Sequence, residues 1–114
     1  MRIDPNRQPF SVLIGGADWA AEFTLAEFQL LRQTIGVLLR QLQATAPLLM
    51  PEEDIELDVE QGALWMRLSG SCESWSLRFV LADSRAQAGH QRGLEGGWDC
   101  AASAALATAI EGLL

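Results

Sequence analysis

Three side chains could form a ligand-binding surface on one face of a predicted sheet. Trp65 and Arg67 alternate along one predicted strand, and Arg78 lies on the next strand. A tryptophan plane beside two guanidinium groups can stack a nucleic-acid base or hold an anion. The alternative, which the net charge favours, is that nearby carboxylates neutralise the arginines while Trp65 covers the sheet or a subunit contact.

The remaining polar residues do not form a recognisable catalytic or metal-binding motif. Six acidic residues lie between Glu52 and Glu60, but same-face neighbours on a strand are about 6.6 Å apart. A solvated strand face is therefore expected there. His90, the single histidine, lies in a polar loop without a nucleophile motif, and Gly15-Gly16 lacks the lysine of a phosphate loop. We expect no enzyme activity, no metal site and no cofactor.

The overall charge restricts the class of partner. The 114 residues contain 15 acidic and 8 basic residues, which gives a formal net charge of −7. Such a charge disfavours a polyanion as partner. Outside residues 52–60, however, the chain carries 9 acidic and 8 basic residues and is nearly neutral. Nucleic acid therefore stays open as a partner, although the net charge disfavours it.

The amino-terminal residues and the cysteines indicate a cytoplasmic protein without membrane association. Residues 1–7 lack the apolar stretch of a signal peptide, and no run approaches the roughly 18 apolar residues of a membrane span. Cys72 and Cys100 lack a metal-binding spacing, so we expect free thiols in a reducing compartment.

A long helix is the clearest element in the sequence. Thr24 to Glu27 form a capping box, in which the two side chains bond to each other's backbone N–H groups. Apolar residues at helical spacing follow until Pro47, interrupted on one face by Arg32. The predicted core-facing residues are Leu25, Phe28, Ile35, Leu39 and Leu42. The apolar stripe is wider than one sheet face needs, which predicts a second covering surface and a homodimer. The residues that widen it are Leu30, Leu31, Val37 and Leu38.

Shorter elements are predicted at both ends of the chain. Phe10–Ile14 and Trp19–Phe23 flank a glycine-bearing turn, and whether its loop has two or four residues stays open. Residues 83–97 predict a long loop, and whether it contains a short strand around Gln91–Glu95 stays open. Asp99 is placed to cap a closing alanine-rich helix.

Alternating residues after the long helix predict three antiparallel strands over residues 55–60, 63–68 and 74–81. A two-residue turn at Gln61-Gly62 would set Glu56 opposite Arg67 as a cross-strand charge pair. A four-residue loop in the second turn would set Arg78 opposite Trp65. All three candidate site residues then share one face.

Six short blocks in this order carry a family resemblance over about residues 9–114. The blocks are Leu13-Ile14-Gly15-Gly16, Trp19-Ala20-x-Glu22-x-Thr24 through Glu27, Leu49-Met50-x-Glu52-Glu53, Leu64-Trp65-Met66, Ser76-Leu77-Arg78 and Arg92-Gly93-Leu94-Glu95-Gly96-x-Trp98. Together they resemble a small uncharacterised cyanobacterial family of unknown function. The resemblance implies a fold similar to the single-stranded-DNA-binding transcriptional coactivator and Whirly group, often found as helix-packed dimers. It implies no functional residue.

These observations predict an α+β fold with one antiparallel sheet of about five strands and two helices, in the order ββαβββα. Residues 1–9 are expected to be a flexible lead-in, and residues 10–114 a single domain. The function they favour is a non-enzymatic binding or regulatory module that acts through a protein partner as a homodimer. The alternative is a single-stranded nucleic-acid-binding regulator that uses the sheet face of Trp65, Arg67 and Arg78.

Overall fold

In the part of the chain that the structure describes, seven strands form two antiparallel sheets, where the sequence predicted a single sheet of about five strands. The computed structural model describes residues 2–6, 12–16, 19–82 and 94–111. Its strands are β1 (Arg2–Ile3), β2 (Val12–Gly15), β3 (Ala20–Phe23), β4 (Ile55–Gln61), β5 (Leu64–Gly70), β6 (Trp75–Leu81) and β7 (Leu94–Trp98). Its helices are α1 (Leu25–Thr45), a short 3₁₀ helix (Ala46–Leu48) and α2 (Cys100–Glu111). The predicted α+β class is confirmed, whereas the strand count and order were wrong.

The smaller sheet has the order β1-β2-β3 and the larger sheet the order β4-β5-β6-β7. Strand β1 was not predicted, because two residues are too short to show any periodicity. Among the described strands, β3 pairs with β2 alone. Helix α1 begins directly after β3 and leads to the larger sheet. Strand β4 forms an edge of the larger sheet within the described part of the chain.

The capping box at the start of α1 is confirmed. The Glu27 backbone N–H donates to Thr24 Oγ1 at 3.1 Å, and the Thr24 N–H donates to Glu27 Oε1 at 2.9 Å. The core face of the helix differs from the predicted stripe, because Leu31 and Leu38 lie in the core while Leu25 is 44% exposed. Two residues that suggested a second covering surface are therefore already covered within the chain.

The first turn of the larger sheet corrects the predicted register. It is centred on Gly62-Ala63, one residue later than predicted, so Asp58 rather than Glu56 lies opposite Arg67. Gly62 has a φ of +58°, a left-handed conformation that glycine adopts without steric cost. Moving the turn by one residue shifts each cross-strand partner by two residues, so every side chain keeps its predicted face.

The second turn of the larger sheet is displaced in the same sense. Gly70, predicted to be the first loop residue, pairs with Trp75, so the four-residue loop covers residues 71–74 and begins one residue later than predicted. Arg78 consequently lies opposite Arg67, and Trp65 lies opposite Val80. The predicted pairing of Arg78 with Trp65 was wrong, but the three candidate site residues still share a face.

Helix α2 begins at its predicted cap and is tied to the sheet by a buried serine. The Ala102 N–H donates to Asp99 Oδ1 at 2.8 Å. The Ser103 hydroxyl donates to the Trp98 carbonyl at 2.9 Å and accepts from the Leu77 N–H at 3.0 Å. It therefore bridges β6 and β7 where their direct pairing ends, and it satisfies two backbone groups that burial would otherwise leave unpaired.

Two tryptophans join the two sheets by reciprocal hydrogen bonds, an arrangement we call the tryptophan clasp. Trp19 Nε1 donates to the Gly97 carbonyl at 2.9 Å, and Trp98 Nε1 donates to the Gly15 carbonyl at 3.1 Å. The two rings meet edge to face with centroids 5.3 Å apart. A Cβ at Gly96 would lie 3.0 Å from the Trp19 ring, so this close approach requires glycine.

Some predicted features lie outside the described residues. These are the start of the first strand at Phe10, the loop residue His90 and the first part of the strand predicted around Gln91–Glu95. The described strand β7 begins at Leu94 and continues to Trp98, beyond the predicted end.

Candidate functional site

The three predicted site residues share the outer face of the larger sheet, the face away from the helices. Trp65 and Arg67 lie on β5 and Arg78 on β6, while the alternating residues of these strands are buried against the helices. Carboxylates from both flanking strands share this face. They are Glu56, Asp58 and Glu60 on β4 and Glu95 on β7.

Arg67 is held by two carboxylates. Its Nε and Nη2 donate to the two oxygens of Asp58 at 2.7 and 3.0 Å, and Nη2 lies 3.2 Å from Glu56 Oε1. The hydrogen bond from Arg67 lowers the pKa of Asp58 and raises that of the guanidinium. Arg67 Cζ also lies 5.1 Å from the centre of the Trp65 ring, within cation–π range. The guanidinium of Arg67 therefore already has carboxylate partners along its edge and the Trp65 ring against its face.

Arg78 is also compensated, by a carboxylate that sequence reasoning missed. Its Nη2 lies 2.6 Å from Glu95 Oε1, and both side chains are 62% exposed. Glu95 could not be placed from the sequence because β7 follows a long segment with no register signal. Four carboxylates and two guanidinium groups give the outer face a formal charge of −2. Such a face offers little attraction to a polyanion.

A second candidate site is a groove along α1 with a volume of about 570 Å³. We call it the α1 groove. Its principal lining residues are Arg32, Gly36, Leu39 and Arg40 on α1, Gln61 at the end of β4 and Ile110 on α2. The groove therefore combines apolar side chains with a few polar groups, which is the usual composition of a binding site.

Glycine at position 36 helps to open this groove. Gly36 lies in the middle of a 21-residue helix, where glycine costs about 1 kcal/mol relative to alanine. A Cβ there would meet only the tip of Arg40, with Nη1 at 3.4 Å, which is ordinary contact. Core packing therefore does not require a glycine here, and its absent side chain leaves the helix backbone accessible.

The arginines of the α1 groove, unlike those of the sheet face, have no carboxylate partner within the described chain. Neither Arg32 nor Arg40 forms an ion pair with a carboxylate of the described chain. Helix α1 holds these two basic residues and Glu27 as its single acidic residue, a formal charge of +1. Within the described residues, these two cationic groups are therefore available to a carboxylate from another molecule.

A buried polar contact fixes one wall of the groove. Thr34, fully buried on α1, places its hydroxyl 2.8 Å from the Leu30 carbonyl and 3.0 Å from the Gln61 side-chain oxygen. Gln61 is therefore tethered to the helix and does not move freely. A wall held in place before binding reduces the entropy lost when a ligand binds.

The sequence contained one signal for the α1 groove. Arg32 is the only charged residue in the predicted apolar stripe, and Gly36 and Arg40 follow it at successive intervals of four residues. Residues four apart on a helix lie above one another, so this spacing alone places the three in a row. The contribution of Ile110 could not be foreseen, because it depends on how α2 packs.

Neither a metal-binding cluster nor a membrane-spanning helix is found among the described residues. No group of three or more His, Cys, Asp and Glu side chains in the described ranges could hold a metal ion. None of the described helices is long and apolar enough to cross a membrane.

Comparisons with known proteins identify relatives of unknown function. Residues 1–113 match the model of the family described as domain of unknown function DUF1818. A crystal structure of a Prochlorococcus sp. NATL2A protein, described as of unknown function from the DUF155 family, is 30% identical with a TM-score of 0.86. The match covers 98% of this chain and 89% of that chain. No curated protein matches the chain. The predicted likeness to the Whirly group stays a prediction.

Proposed function

This chain belongs to the DUF1818 family, a domain family of unknown function, and we propose that it is a non-enzymatic binding module that recognises a protein partner through the α1 groove. The observation that carries the proposal is the pair of arginines without a described carboxylate partner, Arg32 and Arg40, beside the half-buried notch at Gly36. Arginine is enriched at protein interfaces, where its planar group bonds to two acceptors at once. The proposal includes a cytoplasmic location, which the two free thiols, Cys72 and Cys100, support.

The charge of α1 bears on the predicted homodimer. If two copies packed their α1 helices antiparallel around Gly36, Arg32 of one copy would face Arg40 of the other. Like charges in contact oppose such a pairing, and the described α1 groove holds no carboxylate to offset them. A different protein is therefore the favoured occupant, and a symmetric α1 dimer is the less favoured one.

Affinity capture with matched variants tests this proposal. The full chain, tagged and incubated with a lysate of its own organism, should retain a protein that the double variant Arg32→Gln, Arg40→Gln loses. Arg78→Gln serves as the control, since Arg78 is equally a surface arginine but lies on the outer sheet face. Circular dichroism checks that each variant is folded.

Two outcomes of that experiment would contradict the proposal. One is capture of the same proteins by the double variant. The other is recovery of nucleic acid that depends on Arg78 and not on the groove arginines. The latter would favour the alternative of single-stranded nucleic-acid binding, for which the specific support is the half-exposed Trp65 ring beside Arg67.

A further inference from the structure

We infer that residues 47–51 form a second docking surface, which binds a segment of another protein that combines apolar side chains with lysine or arginine. We call these residues the apolar turn. They include the end of the 3₁₀ helix and lead towards β4, and none of them lines the α1 groove, so the inference goes beyond the proposed function. Leu48 is 83% exposed and Met50 is 66% exposed, the highest values among the large apolar side chains of the described residues.

The backbone that presents these two side chains is held in place. The Leu49 N–H donates to the Ala46 carbonyl at 3.2 Å. The Met50 N–H donates to Glu53 Oε2 at 3.2 Å, and the Glu53 N–H donates to the Met50 carbonyl at 3.1 Å. Leu49 is half-buried, whereas its neighbours Leu48 and Met50 are exposed. A surface that is formed before binding reduces the entropy lost when a partner binds.

The apolar turn is also attached to the larger sheet. Cys72 lies in the loop between β5 and β6, and its Sγ is 3.8 Å from the Pro51 carbonyl oxygen and 4.0 Å from that of Met50. The same cysteine packs against the core. Pro47 and Pro51 lie at the two ends of the turn, and each proline ring fixes its own φ. Leu48 and Met50 are therefore exposed on a well-anchored segment.

Four exposed carboxylates surround the apolar turn. They are Glu52, Glu53, Asp54 and Glu73. The first three follow the turn directly, and the fourth is next to Cys72 in sequence. Apart from Glu53, which bonds to the Met50 backbone, they form no ion pair or hydrogen bond within the described chain. Residues 41–66 contain no basic residue. An apolar centre with a negative rim is complementary to apolar side chains flanked by cations.

This charge makes other occupants a weaker match for the apolar turn. In a symmetric dimer the same patch of both copies meets, so four carboxylates would face four identical ones. Nucleic acid and anionic lipid surfaces are likewise repelled by a negative rim. The inferred occupant is therefore a basic, partly apolar segment of a different protein.

Three labelled peptides test the chemistry of the occupant. The probe is a fluorescein-labelled peptide of two Lys-Leu-Ser-Lys-Phe-Ser repeats. One control peptide has glutamine in place of every lysine, and the other has serine in place of every leucine and phenylalanine. In fluorescence anisotropy with the full chain at low salt, the probe should bind about tenfold more tightly than either control, because both apolar burial and charge contribute.

Variants of the exposed apolar pair test the site. The double variant Leu48→Ser, Met50→Ser should weaken binding of the probe by about tenfold, since it removes the apolar contact area. Leu25→Ser is the control, because Leu25 is also an exposed leucine but lies at the start of α1. Its binding should be unchanged. Circular dichroism checks that each variant is folded, and the exposure of both residues makes a loss of folding unexpected.

Variants of the rim test the charge. Each of Glu52→Gln and Asp54→Asn should weaken binding of the probe by about threefold, the size expected for one exposed ion pair. Glu60→Gln is the control and should leave binding unchanged, since Glu60 is an exposed carboxylate near the opposite end of β4. Added salt should weaken the binding.

Several results would overturn the inference. These are equal binding of the three peptides, absence of binding by the probe, and control variants that weaken binding as much as the variants of the apolar turn. A doubled mass in light scattering that falls to the monomer mass in Leu48→Ser, Met50→Ser would show that a second copy occupies the turn.

The inference and the proposed function can fail separately. The double variant Arg32→Gln, Arg40→Gln should bind the probe as the wild type does, because these arginines lie on a different surface. If the probe fails while affinity capture still depends on the two arginines, the proposed function stands and the inferred surface is wrong. If capture does not depend on them while the probe requires Leu48 and Met50, the proposed function is wrong and the inferred surface stands.

Discussion

Arg67, Arg78 and Arg40 are all surface arginines, but they differ in what surrounds the guanidinium group. Asp58 binds Arg67 through two hydrogen bonds, whereas no described carboxylate binds Arg40. An incoming anion must displace an existing partner at Arg67 but not at Arg40. Alternation along the strands correctly placed Trp65, Arg67 and Arg78 on one face. It could not reveal their carboxylate partners, because Glu95 follows a segment without periodicity.

The contact between Arg67 and Asp58 predicts a pH effect. Because the hydrogen bond from Arg67 lowers the pKa of Asp58, the pair stabilises the fold above the usual aspartate pKa of about 3.9. This stabilisation is lost as the pH falls through the lower, folded value. In Arg67→Gln the Asp58 pKa should rise, as followed by carbon-13 NMR of the carboxyl group. Arg78→Gln is the control, and equal midpoints in wild type and Arg67→Gln would refute the assignment.

At the scale of elements, α1 shows what a sequence pattern can and cannot determine. The capping box and Pro47 predicted its ends correctly, since both act through local chemistry. The exposure of Leu25 and the burial of Leu31 depend on which neighbours cover the helix, and sequence periodicity does not contain that information. Strand alternation has a similar limit, because a period of two cannot distinguish registers that differ by two residues.

The glycine in α1 predicts a gain in stability on substitution. Gly36→Ala should raise the free energy of unfolding by about 1 kcal/mol, because alanine loses less backbone entropy in a helix and its methyl group meets only ordinary contact. Urea denaturation measures the change. Gly62→Ala is the matched control and should be destabilising by about 1 kcal/mol, since its φ of +58° disfavours a side chain. A destabilised Gly36→Ala would show that the notch is not open.

At the scale of the whole molecule, the tryptophan clasp explains why the sequence did not predict two sheets. Its donors, Trp19 and Trp98, are far apart in the chain, and their carbonyl acceptors carry no sequence signature because any residue supplies one. The large apolar area of tryptophan favours the core or an interface for both side chains, but it does not name their partners. The structure shows that they join the smaller sheet to the edge of the larger one.

The clasp predicts a measurable coupling between the sheets. Trp98→Phe removes the indole donor to Gly15 and part of a ring that is 4% exposed, so unfolding should become easier by about 1–3 kcal/mol. Chemical denaturation followed by circular dichroism measures the loss. Trp65→Phe, on the outer sheet face, is the control and should change stability by less. Equal losses in the two variants would show that the clasp contributes nothing specific.

The acidic side chains of β4 have a consequence for solubility. Within the described chain β4 is an edge strand, and an edge with unpaired backbone groups can recruit the edge of another molecule. Antiparallel stacking of two β4 strands would bring Glu56, Asp58 and Glu60 of one molecule against the same carboxylates of the other. That repulsion persists while the carboxylates are ionised, so the strand that gives the chain much of its negative charge also protects it from edge-to-edge aggregation.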